Sequence, residues 1–104
     1  MRVGIIGTGW GRMHVGAFRA AGAEVAALCG RNLDKTRGIA QREGVAFATD
    51  DVGALCREVD IVVVASPDAQ HHEHVRTALK AGRHVLCEKP LAMSIEQARD
   101  LATI

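Results

Sequence analysis

The sequence predicts a doubly wound α/β fold, in which one parallel sheet lies between two layers of helices. Short apolar runs alternate with helical patterns along the chain, as in proteins built from successive βαβ units. The run over residues 61–65 is apolar throughout and mostly β-branched, which is typical of a strand buried on both faces of a parallel sheet. Since crossovers between parallel strands are right-handed, we expect the strand order 3-2-1-4-5 in a three-layer αβα domain over residues 1–104.

Composition places the chain among ordinary globular domains. Its 104 residues are enough for one hydrophobic core, and 48% hydrophobic with 24% charged residues argue against disorder. Thirteen Lys and Arg against twelve Asp and Glu give a net charge of +1, so we expect neither nucleic acid nor an anionic membrane as a partner. The apolar stretch at the N-terminus is too short for a signal peptide or a membrane span, which predicts a cytoplasmic protein.

Each of the first two strands is followed by a helix. Residues 3–6 form the first apolar run, and the helical pattern behind its glycine-rich turn stops at Gly22, a favoured residue for a helix C-terminus. The second strand is expected over 25–29. Asn32 then caps an amphipathic helix that stops at Gly44.

The middle of the chain predicts two more strands. A weaker third strand is expected over 45–48, and Asp50 or Asp51 caps the short helix behind it. The fourth strand, over 61–65, ends before Pro67.

The last part of the chain predicts a helix, the fifth strand and a final helix. The first of these helices stops at Gly82, and residues 84–87 form the strand. Ser94 and Gln97 form a capping box for the final helix, which we expect to continue through Leu101 to the end of the chain.

In such a sheet, ligands bind beyond the carboxyl ends of the strands, at the point where the strand order reverses. Here the reversal falls between the first and fourth strands. The loops to search for a site are therefore those over 7–12, 66–71 and 88–90.

The first of these loops is rich in glycine. Glycines let the backbone approach a pyrophosphate closely, while the N-terminus of the following helix supplies amide donors and a positive dipole. A complete G-x-G-x-x-G would place glycine where the chain has Arg12, which either contacts phosphate or points into solvent. The turn predicts dinucleotide binding, a purely structural turn being the alternative. Its candidate residues are Gly7, Thr8, Gly9, Trp10, Gly11 and Arg12.

The end of the second strand bears on the choice of cofactor. An acidic residue at this position would accept hydrogen bonds from the ribose of NAD, but the residues present are Cys29, Gly30, Arg31 and Asn32. Arg31 is placed to pair with the 2′-phosphate of NADP, so the sequence favours NADP over NAD. A solvated Arg31 stacked over the adenine is the alternative and would accept either cofactor. The missing acid also disfavours an S-adenosylmethionine methyltransferase.

Two further loops carry a family resemblance. Ser66, Pro67 and His71 follow the fourth strand, and Glu88-Lys89-Pro90 follow the fifth. Together with the glycine turn, these stretches resemble the glucose-fructose oxidoreductase and inositol dehydrogenase family (Gfo/Idh/MocA), most specifically over residues 78–92. The resemblance covers the whole chain. It implies a Rossmann fold, a nicotinamide dinucleotide as cofactor and a sugar or polyol as substrate.

The same resemblance implies roles for individual residues. Lys89 would move the proton of the substrate hydroxyl, and Glu88 would orient Lys89. The resemblance also allows a cis peptide bond before Pro90. Ser66, Pro67 and His71 would line the nicotinamide end of the site. Without the resemblance, a lysine partly removed from water in a cleft is suited to acid–base catalysis, whereas a surface Glu88–Lys89 ion pair is the alternative.

Two other reactive clusters are weaker candidates. Residues 71–74 contain three histidines and a glutamate, and the spacing of His71 and His74 places these two on one helix face. The H-E-x-x-H spacing is absent and the pair has no third ligand, so no metal is expected. We expect His72 and His74 to be solvated helix residues. Cys29, Cys56 and Cys87 are expected to be free thiols, and burial beside a carboxylate disfavours Cys87 as a nucleophile.

The resemblance also bears on the extent of the chain. Family enzymes carry a mixed α/β domain after the Rossmann domain, and that second domain supplies the substrate pocket, so we expect this chain to be a fragment or a truncated relative. The alternative function is a non-catalytic dinucleotide-binding or sensor module, which an unpaired sheet edge would allow to form homo-oligomers.

Overall fold

Each predicted strand is present in one parallel sheet in the computed structural model, which describes residues 1–104. The strand order is β3-β2-β1-β4-β5, and every neighbouring pair is parallel, as predicted. The order reverses between β1 and β4, which are the strands on either side of the expected site. The strands are β1 (Arg2–Ile6), β2 (Glu24–Cys29), β3 (Phe47–Thr49), β4 (Ile61–Val64) and β5 (His84–Cys87).

Five helices cover the two faces of the sheet. They are α1 (Gly11–Ala20), α2 (Leu33–Glu43), α3 (Val52–Glu58), α4 (His71–Lys80) and α5 (Ile95–Ala102), and a short 3₁₀ turn over Asp68–Gln70 precedes α4. Buried residues of α1 and α2 share one hydrophobic cluster, and those of α3, α4 and α5 share the other. The predicted three-layer Rossmann arrangement is therefore confirmed. None of the helices combines the length and apolar character that a membrane crossing requires.

The central strand β4 shows why its sequence is continuously apolar. Val62, Val63 and Val64 are all 0% exposed. Val63 packs in the cluster on the α1–α2 side, whereas Val62 and Val64 pack in the cluster on the other side. Because side chains alternate between the faces of a strand, a strand covered on both faces needs an apolar residue at every position.

The predicted caps are confirmed. Asn32 and Asp51, the second of the two candidate aspartates, each accept a hydrogen bond from a backbone N–H in the first turn of their helix. Ser94 Oγ accepts from the N–H of Gln97 at 3.2 Å. The side chain of Gln97 reaches back one residue further than in the usual capping box, accepting from the N–H of Met93 at 2.9 Å.

The prediction for the third strand, 45–48, is wrong by two residues at its start. α2 ends with Gly44 in the left-handed region at φ 70°, and the N–H of Val45 then donates to the carbonyl of Ala40 at 2.8 Å. Val45 is therefore buried as part of the helix C-terminus. The strand begins only at Phe47, after the chain has turned back towards the sheet.

The carboxyl ends of the strands form one aligned edge. The residue after each of four strands donates its backbone N–H to the last residue of the neighbouring strand, so the ladder continues one residue beyond each strand. Ala65, predicted as the end of β4, is one of these residues. The bonds are Gly30 to Thr49 (3.1 Å), Gly7 to Cys29 (2.9 Å), Ala65 to Ile6 (2.8 Å) and Glu88 to Val64 (2.9 Å).

A polar contact joins α5 to α4. Asp100 accepts hydrogen bonds from His72 Nε2 at 2.8 Å and from a guanidinium nitrogen of Arg76 at 2.6 Å. His72 is therefore not simply a solvated residue as predicted, because it holds the last helix. The hydrogen bonds from His72 and then Arg76 hold the pKa of Asp100 below its ordinary value of 3.8. α5 ends at Ala102 rather than continuing to the end of the chain.

The lowered pKa of Asp100 predicts an acid-sensitive contribution to stability. Because the pKa is lowered by folding, this contribution is present above the ordinary value of 3.8 and is lost as the pH falls through the lowered value. We expect Asp100→Asn to lower the Tm at neutral pH, with the difference from the parent shrinking in acid. Glu96→Gln changes an exposed carboxylate of the same helix and serves as the control. An equal difference at both ends of the pH range would contradict this account.

Candidate functional site

A cleft of about 470 Å³ lies over the carboxyl edge of the sheet, where the strand order reverses. Its walls come from the ends of β1, β2, β3 and β4. The lining includes seven of the predicted site residues: Gly7, Thr8, Gly9, Trp10, Arg31, Ser66 and Pro67. The structure therefore brings the glycine turn, the end of β2 and the loop after β4 together, as the strand order predicts.

The three glycines of the first turn differ in surroundings. Gly7 has a φ of 111°, and a Cβ at this position would lie 2.4 Å from the carbonyl oxygen of Ala65. A Cβ on Gly9 would meet no atom within 4 Å, so this residue leaves open space at the cleft. Gly11 is buried, and a Cβ there would lie 2.8 Å from the Ile5 side chain.

These surroundings match the three roles of the glycines in a dinucleotide-binding turn, which are the tight turn, access for the pyrophosphate and close packing of helix on strand. Gly11 provides the close packing from one position earlier than the sequence pattern requires. Arg12, in the position that the pattern assigns to glycine, is exposed and lies outside the cleft.

The end of β2 has no room for an acidic side chain at Gly30. A Cβ there would lie 2.4 Å from Thr36 Oγ1 and 2.9 Å from Thr8 Cγ2. Thr36 is 1% exposed, and its hydroxyl donates to the carbonyl of Asn32 at 2.8 Å, so it cannot move away easily. A side chain at this position would therefore require Thr36 and Thr8 to shift.

Two cations line the cleft beside Gly30. Arg31 and Lys35 are both exposed, and neither forms an ion pair. Sequence reasoning missed Lys35, although its place in the first turn of α2, three residues after the Asn32 cap, is a signal that it faces the same edge. Asp50, at the end of β3, brings one carboxylate to this part of the cleft.

At the end of β4, a serine and a histidine form a polar pair. Ser66 is buried, and its Oγ lies 2.7 Å from His74 Nδ1. Burial lowers the pKa of His74, with the nearby Glu73 opposing and His71 assisting that shift. His74 therefore presents a neutral imidazole to the cleft at neutral pH, and the prediction of a solvated helix residue is wrong.

His71 lies beneath the cleft instead of lining it. The ring is 1% exposed, with Nδ1 2.6 Å from the carbonyl oxygen of Pro90 and Nε2 2.7 Å from that of Ser66. The sequence holds a signal for this burial, because residues 71, 75 and 78 follow the helical period, and all three are buried on α4.

The Glu-Lys-Pro segment lies at the same edge, next to the cleft. The bond between Lys89 and Pro90 is cis. Glu88 contacts His14 of α1, with 2.6 Å between Oε1 and Nε2, so the alternative of a surface ion pair with Lys89 is wrong. Lys89 is exposed, and its ammonium forms no hydrogen bond or ion pair within this chain. Of the predicted roles at this site, the orientation of Lys89 by the Glu88 carboxylate has no contact to support it.

The cysteines are free, as predicted. Burial and then the charges of Asp50 and Asp51 raise the pKa of the Cys29 thiol to about 11. Cys87 is half-buried, and burial together with Glu88 raises its pKa. Both thiols therefore remain protonated at neutral pH and are poor nucleophiles. No three His, Cys, Asp or Glu side chains are grouped to hold a metal ion.

Comparison with known proteins supports the family resemblance. The profile of the family described as an oxidoreductase family with an NAD-binding Rossmann fold (GFO_IDH_MocA) matches residues 1–104. D-glucoside 3-dehydrogenase from Escherichia coli (strain K12) is 40% identical over 106 residues, covering 97% of this chain and 30% of that protein.

Two solved structures show the same similarity. An NAD binding oxidoreductase from Klebsiella pneumoniae matches with a TM-score of 0.92 and 31% identity, over 99% of this chain and 31% of that one. The scyllo-inositol dehydrogenase from Lactobacillus casei, solved with bound NAD(H) and scyllo-inositol, matches with a TM-score of 0.89 and 25% identity, over 99% and 32%. The chain thus spans less than a third of the length of each of these proteins.

The surroundings of Gly7 and Gly9 predict that alanine substitutions at these two positions differ in their effect on stability. Gly7→Ala places a Cβ against backbone at a positive φ, and we expect it to cost more than about 2 kcal/mol in the free energy of unfolding. Gly9→Ala meets open space and is expected to unfold within about 1 kcal/mol of the parent. Denaturant unfolding followed by circular dichroism measures both variants. A Gly7→Ala protein as stable as Gly9→Ala would show that the turn relaxes freely.

Proposed function

The chain belongs to the Gfo/Idh/MocA oxidoreductase family, and we propose that it is the cofactor-binding part of an enzyme that moves hydride between a nicotinamide dinucleotide and a carbinol carbon of a sugar or polyol. The observation that carries the proposal is the cleft at the strand reversal, with the glycine turn as its floor and Lys89 at the same sheet edge. The names of the matched relatives, a glucoside and an inositol dehydrogenase, support the substrate class.

The lining of the cleft fits a dinucleotide. Gly9 leaves the space in which a pyrophosphate would approach the backbone, and α1 begins directly behind the turn at Gly11. Arg31 and Lys35 offer positive charge at the β2 end, whereas Ser66 and Pro67 form the β4 end. When bound, the cofactor supplies the hydride donor or acceptor, and the protein binds and orients it.

NADP is the proposed cofactor in preference to NAD. The packing of Thr36 and Thr8 around Gly30 excludes the carboxylate that would bind the ribose hydroxyls of NAD. Arg31 and Lys35 are both free to pair with a 2′-phosphate, while Asp50 opposes this binding. Two cations against one carboxylate give a net attraction for phosphate at this end of the cleft.

Lys89 is the proposed catalytic residue. Its ammonium forms no ion pair in this chain, so it is available to hydrogen-bond a substrate hydroxyl and to transfer that proton. Because the side chain is exposed, a surface contributed by a substrate-binding domain would have to exclude water around it. Glu88, held by His14, acts in this proposal by fixing the backbone that carries Lys89.

A non-catalytic dinucleotide-binding module that pairs with another chain is the second candidate. It is favoured by exposed apolar side chains near the Glu-Lys-Pro segment, where a second domain or a second copy would pack equally well. These side chains are Leu86 (47% exposed), Leu91 (49%), Met93 (61%) and Ile95 (67%).

Cofactor titration tests both candidates. Trp10 is the only tryptophan, the chain has no tyrosine, and Trp10 lines the cleft while remaining 73% exposed. A bound nicotinamide dinucleotide should therefore quench one well-defined emission. The absence of quenching with both NADH and NADPH at millimolar concentration would overturn the proposal that this chain binds a dinucleotide.

Arg31 predicts the direction of cofactor preference. We expect NADPH to bind about tenfold to a hundredfold more tightly than NADH, as one charge-assisted arginine–phosphate pair allows. Arg31→Ala should remove most of this difference and leave the affinity for NADH nearly unchanged. Arg12→Ala removes an exposed arginine outside the cleft and should preserve the preference. Equal affinities of the parent chain for the two cofactors would contradict the assignment.

Lys89 predicts a rate effect in a two-domain enzyme. The test uses a chimera in which residues 1–104 replace the matching segment of D-glucoside 3-dehydrogenase. Lys89→Met is then introduced into the active chimera. If Lys89 transfers the hydroxyl proton, kcat should fall by about a hundredfold to ten-thousandfold while cofactor affinity changes little. Lys80→Met, at the end of α4, is the matched control and should keep its rate. A Lys89→Met chimera with nearly parental turnover would exclude Lys89 from the chemistry.

A further inference from the structure

We propose that His71 is a positioning residue that fixes the turn carrying Lys89 against the loop after β4. The ring lies between two backbone segments that are far apart in sequence. Nδ1 contacts the carbonyl of Pro90, the residue after Lys89, and Nε2 contacts the carbonyl of Ser66, which lines the cleft. A single side chain thus joins the proposed catalytic turn to the proposed cofactor site.

His14 holds the Glu88 side chain at the start of the turn, but the backbone after Glu88 has few contacts of its own. The backbone N–H of Glu88 bonds to Val64 before the turn, and that of Met93 bonds to Gln97 after it. Between these two residues, the carbonyl of Pro90 is the one backbone group with a hydrogen bond to the rest of the protein, and its partner is His71.

The burial of His71 makes the contact specific. The ring is 1% exposed, so water cannot replace either of its partners at no cost. Both partners are backbone carbonyl oxygens, so the ring bridges acceptors that belong to two different segments. His71 is also among the causes that hold the pKa of His74 down, so the neighbouring ring stays neutral beside it.

This geometry distinguishes His71 from the histidines around it. His14 holds the carboxylate of Glu88, and His72 holds α5 through Asp100. Only His71 contacts the backbone of both the loop after β4, at Ser66, and the turn after β5, at Pro90. The consequence for Lys89 rests on the function proposed above, in which Lys89 must be held at a set distance from the cofactor.

The test uses isotope-labelled protein of residues 1–104 without cofactor. In the parent, the amides of Lys89, Leu91 and Ala92 should have order parameters near those of rigid backbone, about 0.85. His71→Phe keeps a ring of similar size without donors. It should lower these order parameters below about 0.6, while the amides of β4 remain rigid.

His72→Phe is the matched control, because it changes the adjacent ring on the same helix and loses only the contact to Asp100. Its order parameters over 89–92 should equal those of the parent. A turn that stays rigid in His71→Phe would overturn the proposal, and so would a parent turn that is already mobile, with order parameters below about 0.6 over 89–92. The order parameters of the parent over 89–92 test the proposal even if His71→Phe fails to fold.

These outcomes are independent of cofactor binding. A chain that binds neither NADH nor NADPH but loses order over 89–92 in His71→Phe would retain the positioning role and lose the proposed function. A chain that binds cofactor but keeps a rigid turn in His71→Phe would lose the positioning role and retain the proposed function.

Discussion

The parallel hydrogen-bond ladder at the carboxyl edge is the constraint on which the rest of the site depends. Four strands end in register because the residue after each donates to the last residue of its neighbour. The loops after them must therefore leave from one line, and this brings residues that are far apart in sequence into one cleft. The same alignment explains Gly7, whose backbone passes so close to Ala65 that no side chain fits.

Histidine side chains hold together segments of the chain that are distant in sequence. Four of the five histidines hydrogen-bond to groups distant from their own turn of helix: Glu88, Asp100, Ser66 and the backbone of Pro90. An imidazole suits this task because it has two separated polar atoms on a rigid ring. The histidine-rich start of α4 thus resembles a metal-binding run in composition, but its rings have different partners: His71 and His74 contact loops, whereas His72 contacts α5.

The two ends of the cleft differ in charge, and packing is the source of the difference. At the β2 end, buried Thr36 prevents a side chain at Gly30 and leaves Arg31 and Lys35 as the nearest cations. At the β4 end, burial keeps His74 neutral beside Ser66. In the proposed complex with NADP, the 2′-phosphate on the adenosine ribose would lie at the cationic β2 end.

The sheet order, the layers, the caps and seven of the 18 residues that line the cleft can be derived from the sequence alone. These features follow from local rules, since apolar period and capping residues act over a few residues, and the handedness of a crossover is set within one βαβ unit. Three features follow only from the packed fold. Gly11 provides the close packing that the sequence pattern assigns to position 12, His71 is buried while His74 lines the cleft, and Glu88 pairs with His14. Each of these depends on which atoms of distant segments approach within about 4 Å, and such distances are set by the packed layers as a whole.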